Sequence, residues 1–182
     1  FERTGQTYVI AGTGRNGYLF SRETVAHESS HQFLHQYSGV YCSNYYDKPG
    51  AWINEGLASY SQTDMVTADR VTLAGYRSHY HFQIAKRMLR KGTMEPLEEF
   101  VLTDGSPFSG SRRSARLYSY GMALISYLLN AVDGKYRQDF YRYIYDILKG
   151  RGSETLFERT FDIAPADLEP AFHKWLLAEE NE

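Results

Sequence analysis

The chain has 182 residues, of which 42% are apolar and 15% aromatic, so its composition is that of a packed globular protein rather than a disordered one. Its 20 Lys and Arg residues nearly balance 22 Asp and Glu residues, and no block of like charge is present. We therefore expect no nucleic-acid partner. The lack of a long apolar run predicts no membrane-spanning segment, and a single cysteine, Cys42, excludes a metal site built from thiolates.

The first part of the chain predicts one strand and two helices. Residues 7–10, TYVI, are β-branched and aromatic and precede a glycine-rich loop, which indicates a short edge strand. An extended peptide could pair along such an edge, because strand addition needs only free backbone groups. A helix is expected from about 21 to 37, a polar loop over 38–51, and a second helix starting with WINEGLASYSQ at Trp52.

The rest of the chain is predicted to be helical. Helical segments are expected at about 74–91, 96–101, 115–132, 135–149, 154–160 and 165–178. The polar, breaker-rich stretch 103–114 predicts a loop over a cleft. The predicted fold is mostly α within the α+β class, with a short N-terminal edge strand, a helix pair and a C-terminal helical bundle.

We divide the chain into two parts that together form one unit. Residues 1–65 hold the edge strand and the helix pair, and residues 66–182 form a helical part that completes the cleft. Because the sequence starts at Phe1 rather than at Met, we interpret it as a fragment or a processed part of a longer chain. Its compartment is left open by this sequence.

The predicted helix at 21–37 carries the pattern H-E-x-x-H at His27, Glu28 and His31. Side chains four residues apart lie on one face of a helix, so His27 and His31 can bind one metal ion together. Glu28 points to the side of this pair, where its carboxylate can reach a water on the metal. This arrangement is typical of a hydrolytic zinc site.

A catalytic zinc ion commonly takes three protein ligands, so a third donor must come from elsewhere in the chain. Glu55 is the candidate, because it lies at the start of the second predicted helix after a loop that can return the chain antiparallel. Gly56 and Ala58 leave room for two helices to approach closely. Asn54 and Ser59 are placed to hydrogen-bond the ligands.

The alternative interpretation is that His27 and His31 are ordinary histidines that share a helix face. The second motif, N-E-G-L-A, favours the metal site, because it meets a separate geometric requirement at a suitable distance along the chain.

HESSH followed by INEGLASY resembles the gluzincin branch of zinc metallopeptidases. The segment from Tyr118, with Gly121, Ala123 and Leu124, is similar to the Y-x-x-G-x-A-L segment of aminopeptidase N-like gluzincins. The C-terminal helices resemble those of peptidase MA-like gluzincins.

This resemblance implies a thermolysin-like catalytic core and one Zn²⁺ per chain, held by His27, His31 and Glu55. It also implies that Glu28 activates a zinc-bound water, that Tyr118 donates its hydroxyl to the oxyanion, and that the substrate is a peptide or protein. Tyr120, His79 and His81 are alternative donors. An extracytoplasmic or secreted location is the compartment that the family favours.

Two questions of function stay open at this point. The G-x-M-E-N segment that aminopeptidases of this group carry before the zinc helix does not precede His27. Endopeptidase and exopeptidase action are therefore both consistent with the sequence. The oligomeric state is also undetermined. A protein of another class, a gluzincin-like binding module for proteins or glycans, would use an aromatic surface. Its candidate residues are Tyr37, Tyr41, Tyr45, Tyr46 and Trp52.

Overall fold

A computed structural model describes residues 22–38, 46–63, 65–66, 71–72, 75–108 and 113–178 of the chain. Within these residues the protein is mostly helical, as the sequence predicts. The predicted edge strand at 7–10 lies outside the described residues. None of the described helices combines the length and apolar character of a membrane span.

Eight α-helices form the described part of the chain, each close to a predicted segment. They are α1 (Arg22–Ser38), α2 (Trp52–Ser61), α3 (Tyr80–Arg90), α4 (Leu97–Phe100), α5 (Ser114–Asn130), α6 (Arg137–Leu148), α7 (Leu156–Phe161) and α8 (Pro165–Leu177). Single 3-10 turns lie at Ser106–Phe108 and Ala131–Gly134.

Two local features differ from the prediction. Helix α3 begins at Tyr80 rather than near 74, because the backbone of Gly75 has a φ of +104° and the side chain of His79 caps the helix by accepting from the N–H of His81. A minimal antiparallel pair of strands, β1 (Met65–Val66) and β2 (Val71–Thr72), follows α2 where the prediction had only helices.

Helices α1 and α2 run antiparallel, as expected from the loop between them. The hydroxyl of Ser61 near the end of α2 donates to the carbonyl of Ala26 in α1 over 3.1 Å. At the other end of the pair, Asn54 near the start of α2 meets His31. The α1 residue numbers therefore rise as the α2 numbers fall.

Helices α2 and α5 approach each other closely where two glycines face each other. A Cβ added to Gly121 would meet the Cα of Gly56 at 3.1 Å. Because neither glycine has a side chain, the two backbones can touch here. The contact with α5 therefore accounts for the glycine at position 56. The expectation that Gly56 makes room for a close approach holds, but its partner helix is α5.

The core is rich in aromatic rings and joins both predicted parts of the chain. Trp52 in α2 is fully buried and contacts Phe100 and Tyr143 at ring-centroid distances of 5.2 and 6.3 Å. Phe172 in α8 stacks on Tyr120 of α5. The helix pair and the C-terminal helices thus share one hydrophobic core.

Helix α1 faces this core in an unusual way. Leu34 is buried, but Val25 and Phe33 are 44% and 64% exposed. The side that α1 turns toward α2 instead carries His27 and His31, whose side chains are only 16% and 13% exposed. The helix thus turns its two imidazoles toward α2 and leaves two of its apolar side chains exposed.

Candidate metal centre

The two histidines of α1 point at the same place. Their ring centroids are 4.8 Å apart, and the Nε2 atoms of His27 and His31 lie 3.2 Å from each other. This is the convergence expected for residues four apart on one helix face. Both rings present Nε2 to the shared point; Nδ1 of His31 meets Asn54, whereas Nδ1 of His27 is buried without a hydrogen-bond partner among the described residues.

Helix α2 brings the carboxylate of Glu55 to the same point. Its Oε2 lies 3.3 Å from Nε2 of His27 and 3.4 Å from Nε2 of His31. The three side chains form a group whose donor atoms all lie within 4.8 Å of one another. Sequence reasoning placed these three residues together, and the structure does so.

The size of this triangle fits a metal ion. Zinc bonds to His nitrogen and carboxylate oxygen at about 2.0–2.2 Å in a tetrahedron, which separates neighbouring ligand atoms by about 3.3–3.6 Å. The three measured separations, 3.2, 3.3 and 3.4 Å, lie at or next to that range. The site could hold a small divalent cation and would leave a fourth coordination position free.

The electrostatics of the triad are coupled. Burial alone would raise the pKa of Glu55, but hydrogen bonds from His27 and His31 outweigh it and lower the pKa to about 2. Burial alone would lower the pKa of His31, but the hydrogen bond and the charge of Glu55 raise it. The carboxylate is thus ionised at neutral pH, in the form that binds a cation.

The imidazole of His31 is held from behind by Asn54. Its Nδ1 lies 3.2 Å from Oδ1 of Asn54, and since an amide oxygen only accepts, Nδ1 carries a hydrogen. Nε2, which faces Glu55, is then the nitrogen that can bind a metal ion once it has lost its own proton. The predicted contact of Asn54 is confirmed. The predicted contact of Ser59 is not: its hydroxyl is buried without a hydrogen-bond partner among the described residues.

Glu28 lies beside the triad rather than in it. It is half-buried, and its charge acts on both His31 and Tyr118. The carboxylate of Glu28 is therefore close to the triad but is not one of its three donor groups.

Tyr118 also lies next to the triad. Its ring centroid is 6.2 Å from that of His27, and its hydroxyl donates to the backbone carbonyl of Phe108 over 3.0 Å. Burial and the charges of Glu55, Tyr46 and Glu28 raise the pKa of Tyr118 to about 12, so the hydroxyl keeps its proton. In this arrangement, that proton is directed to Phe108 and not toward the triad.

The alternative donors are placed differently. Tyr120 is fully buried between Phe100 and Phe172, and its hydroxyl donates to the carbonyl of Glu95, so it belongs to the core. His79 caps α3, and its Nε2 is buried without a hydrogen-bond partner in the described part of the chain. His81 lies near Tyr118, at a ring-centroid distance of 6.3 Å.

Two residues near the site were not anticipated. The carbonyl of Phe108 has no sequence signal, because any residue carries one. Ser119, which hydrogen-bonds His81, was not predicted because it lies inside an apolar helix. A polar residue in such a helix needs a hydrogen-bond partner, and this was the available signal.

The aromatic surface proposed for a binding module is only partly present. Trp52 is fully buried, so that part of the expectation is wrong, and Tyr41 and Tyr45 lie outside the described residues. An open apolar groove of about 400 Å³ does lie between α1, α2 and α6. The exposed aromatic residues in its wall are Phe33, Tyr37, Tyr141 and Tyr145.

Comparison of the chain with known proteins found no matching family model, no matching curated protein and no matching solved structure. The function must therefore be argued from the residues themselves. What those residues form is a half-buried His, His and Glu triad with a second glutamate, a tyrosine and a third histidine near it.

Proposed function

We propose that this protein is a zinc-dependent peptidase of the gluzincin type. The observation that carries the proposal is the convergence of His27, His31 and Glu55, whose donor atoms lie 3.2–3.4 Å apart. Two imidazole nitrogens and one carboxylate are a donor set that zinc commonly takes at catalytic sites with three protein ligands. The inward orientation of otherwise costly polar groups supports the same conclusion.

Glu28 is the general base of the proposed reaction. When bound, zinc supplies a Lewis acid that polarises the substrate carbonyl and lowers the pKa of a water molecule. Glu28 takes one proton from the attacking water as its oxygen bonds to the carbonyl carbon. It then gives that proton to the nitrogen of the breaking C–N bond, so that an acid and an amine are released.

Tyr118 has a supporting role in this proposal. Its hydroxyl must turn away from the carbonyl of Phe108 before it can donate to the oxygen of the attacked carbonyl. Loss of one such donor costs on the order of 3 kcal/mol of transition-state stabilisation. The hydroxyl is suited to the task, since its raised pKa keeps it protonated throughout the physiological range.

The experiment compares metal content and peptide hydrolysis in four proteins after the same chelator wash and zinc reconstitution. They are the wild type, Glu55→Gln, Glu28→Gln and the control Glu98→Gln, an exposed glutamate of α4. We expect one zinc in all but Glu55→Gln, and hydrolysis of a mixed peptide library only in the wild type and the control. Loss of Glu28 should lower turnover by at least about 100-fold.

Other outcomes would count against the proposal. A wild type that takes up no zinc would remove the metal site. Full activity in Glu28→Gln would remove the base and leave the metal without its proposed chemistry.

The alternative function, a binding module without catalysis, is favoured by the exposed aromatic groove between α1, α2 and α6. It predicts that Tyr37→Ala impairs binding of a protein or glycan, whereas Glu28→Gln leaves that binding intact. The same four proteins, with Tyr37→Ala added, separate the two functions.

A further inference from the structure

His81 is a buried imidazole beside the candidate site that the proposed mechanism does not use. It is 5% exposed, it lies at the start of α3, and its ring is 6.3 Å from that of Tyr118. Tyr118 in turn lies 6.2 Å from His27, and the charge of His27 acts on His81. His81 is thus placed to meet a molecule bound at the triad.

The hydrogen bonds of Ser119 determine which nitrogen of His81 carries the proton. The hydroxyl of Ser119 lies 2.8 Å from Nδ1 of His81 and 2.8 Å from the carbonyl oxygen of Ala115. The carbonyl can only accept, so the single hydroxyl hydrogen of Ser119 goes to Ala115. The hydroxyl oxygen must then accept from His81, which places the hydrogen on Nδ1.

The other nitrogen of His81 is therefore an acceptor. Burial, together with the charges of His79 and His27, lowers the pKa of His81 to about 4, so the ring is neutral at physiological pH. Nε2 of a neutral ring with its hydrogen on Nδ1 holds a free lone pair. The described residues offer Nε2 no hydrogen bond, and Nε2 is not one of the fully enclosed polar atoms that lack a partner, so it keeps access to the space beside the ring.

We propose that His81 is a substrate-binding residue whose Nε2 accepts a hydrogen bond from a backbone N–H of the bound peptide. Ser119 is its positioning residue, because it holds the tautomer that makes Nε2 an acceptor. The inference rests on the proposed peptidase function and adds a substrate contact to it. In this role Nε2 of His81 is a hydrogen-bond acceptor. An oxyanion donor would instead need the hydrogen on Nε2.

The experiment uses a series of substrate peptides. In each peptide, one amide other than the scissile amide is replaced by an ester, so that a single backbone N–H becomes an oxygen. Zinc-loaded wild type and His81→Asn are compared on each member of the series by kcat/KM. We expect His81→Asn to lose about fivefold to tenfold on the all-amide peptide, the usual worth of one hydrogen bond. At one ester position the difference between the two proteins should vanish.

Ser119→Ala provides an independent variant that touches neither the triad nor the substrate. It should reproduce part of the same position-specific loss, because the freed ring can place its hydrogen on either nitrogen. Ser126→Ala is its matched control, since Ser126 is equally buried in α5 and makes the same bond to the carbonyl four residues back, at 2.8 Å, without a histidine. It should behave as the wild type does.

The outcomes separate the inference from the function on which it rests. If His81→Asn loses the same factor at every ester position, or loses nothing, the inference is wrong while the peptidase stands. If zinc-loaded wild type cleaves no peptide, the proposed function is wrong and the inference falls with it. Zinc content and circular dichroism of each variant show that the comparison is made on folded, loaded protein.

Discussion

At the scale of single residues, the hydrogen bond from His31 to Asn54 holds one ligand of the triad in place. We predict that Asn54→Ala weakens zinc binding by about 10-fold to 100-fold. Without this hydrogen bond, the orientation and the tautomer of the His31 imidazole are no longer fixed. Competition with a chromophoric zinc chelator measures the affinity.

Ser59→Ala is the matched control for this prediction. Ser59 lies in the same helix and is buried, but its hydroxyl has no hydrogen-bond partner in the described part of the chain. Its removal should leave zinc affinity unchanged. Equal losses in the two variants would mean that helix α2, and not the bond to His31, sets the affinity.

At the scale of helices, α2 and α5 meet through their glycines, and this contact sets where Glu55 lies. A Cβ at position 121 would approach the Cα of Gly56 to 3.1 Å, and backbone on both sides leaves little that can give way. We predict that Gly121→Ala lowers the free energy of unfolding by about 1–3 kcal/mol, as overpacking does. Urea unfolding of the metal-free chain measures it.

The sign of that change is informative. In a helix without such a contact, Gly→Ala stabilises by up to about 1 kcal/mol through helix propensity. A rise in the unfolding midpoint of Gly121→Ala would therefore contradict the close approach of α2 and α5. A fall, accompanied by weaker zinc binding, would show that the spacing of the two helices positions Glu55.

At the scale of the whole molecule, the shared aromatic core predicts that the two parts of the chain unfold together. The chain has two tryptophans, Trp52 in α2 and Trp175 in α8, one in each part. Trp52→Phe and Trp175→Phe thus each leave one fluorescent reporter. We predict that each variant gives the same urea midpoint by fluorescence as by circular dichroism, as two-state unfolding requires.

A further substitution tests the same cooperativity. Phe172→Ala in either single-tryptophan background should lower both midpoints together, with a loss of about 3–5 kcal/mol, because Phe172 is fully buried against Tyr120 and Tyr127. Separate transitions from the two reporters would show instead that residues 1–65 and 66–182 are independent units.

The parts of the fold that the sequence predicts correctly are those that depend on neighbours along the chain. Once Arg22–Ser38 is helical, the shared face of His27 and His31 follows from the helical repeat of 3.6 residues, which needs no tertiary contact. The glycine and the cap that set the start of α3 also act locally, but the apolar pattern before Tyr80 obscured them, so that boundary was missed.

The contacts that complete the site depend on residues far apart in the chain. Spacing predicted by itself that His27 and His31 share a face, and motif chemistry nominated Glu55 as their partner. Only the packing of α2 on α1 and α5 decided that Glu55 meets both histidines, that Tyr118 donates to Phe108, and that Ser119 orients His81. The physical reason is that distances of about 3 Å between side chains of different helices are set by how the helices interlock, which no local pattern encodes.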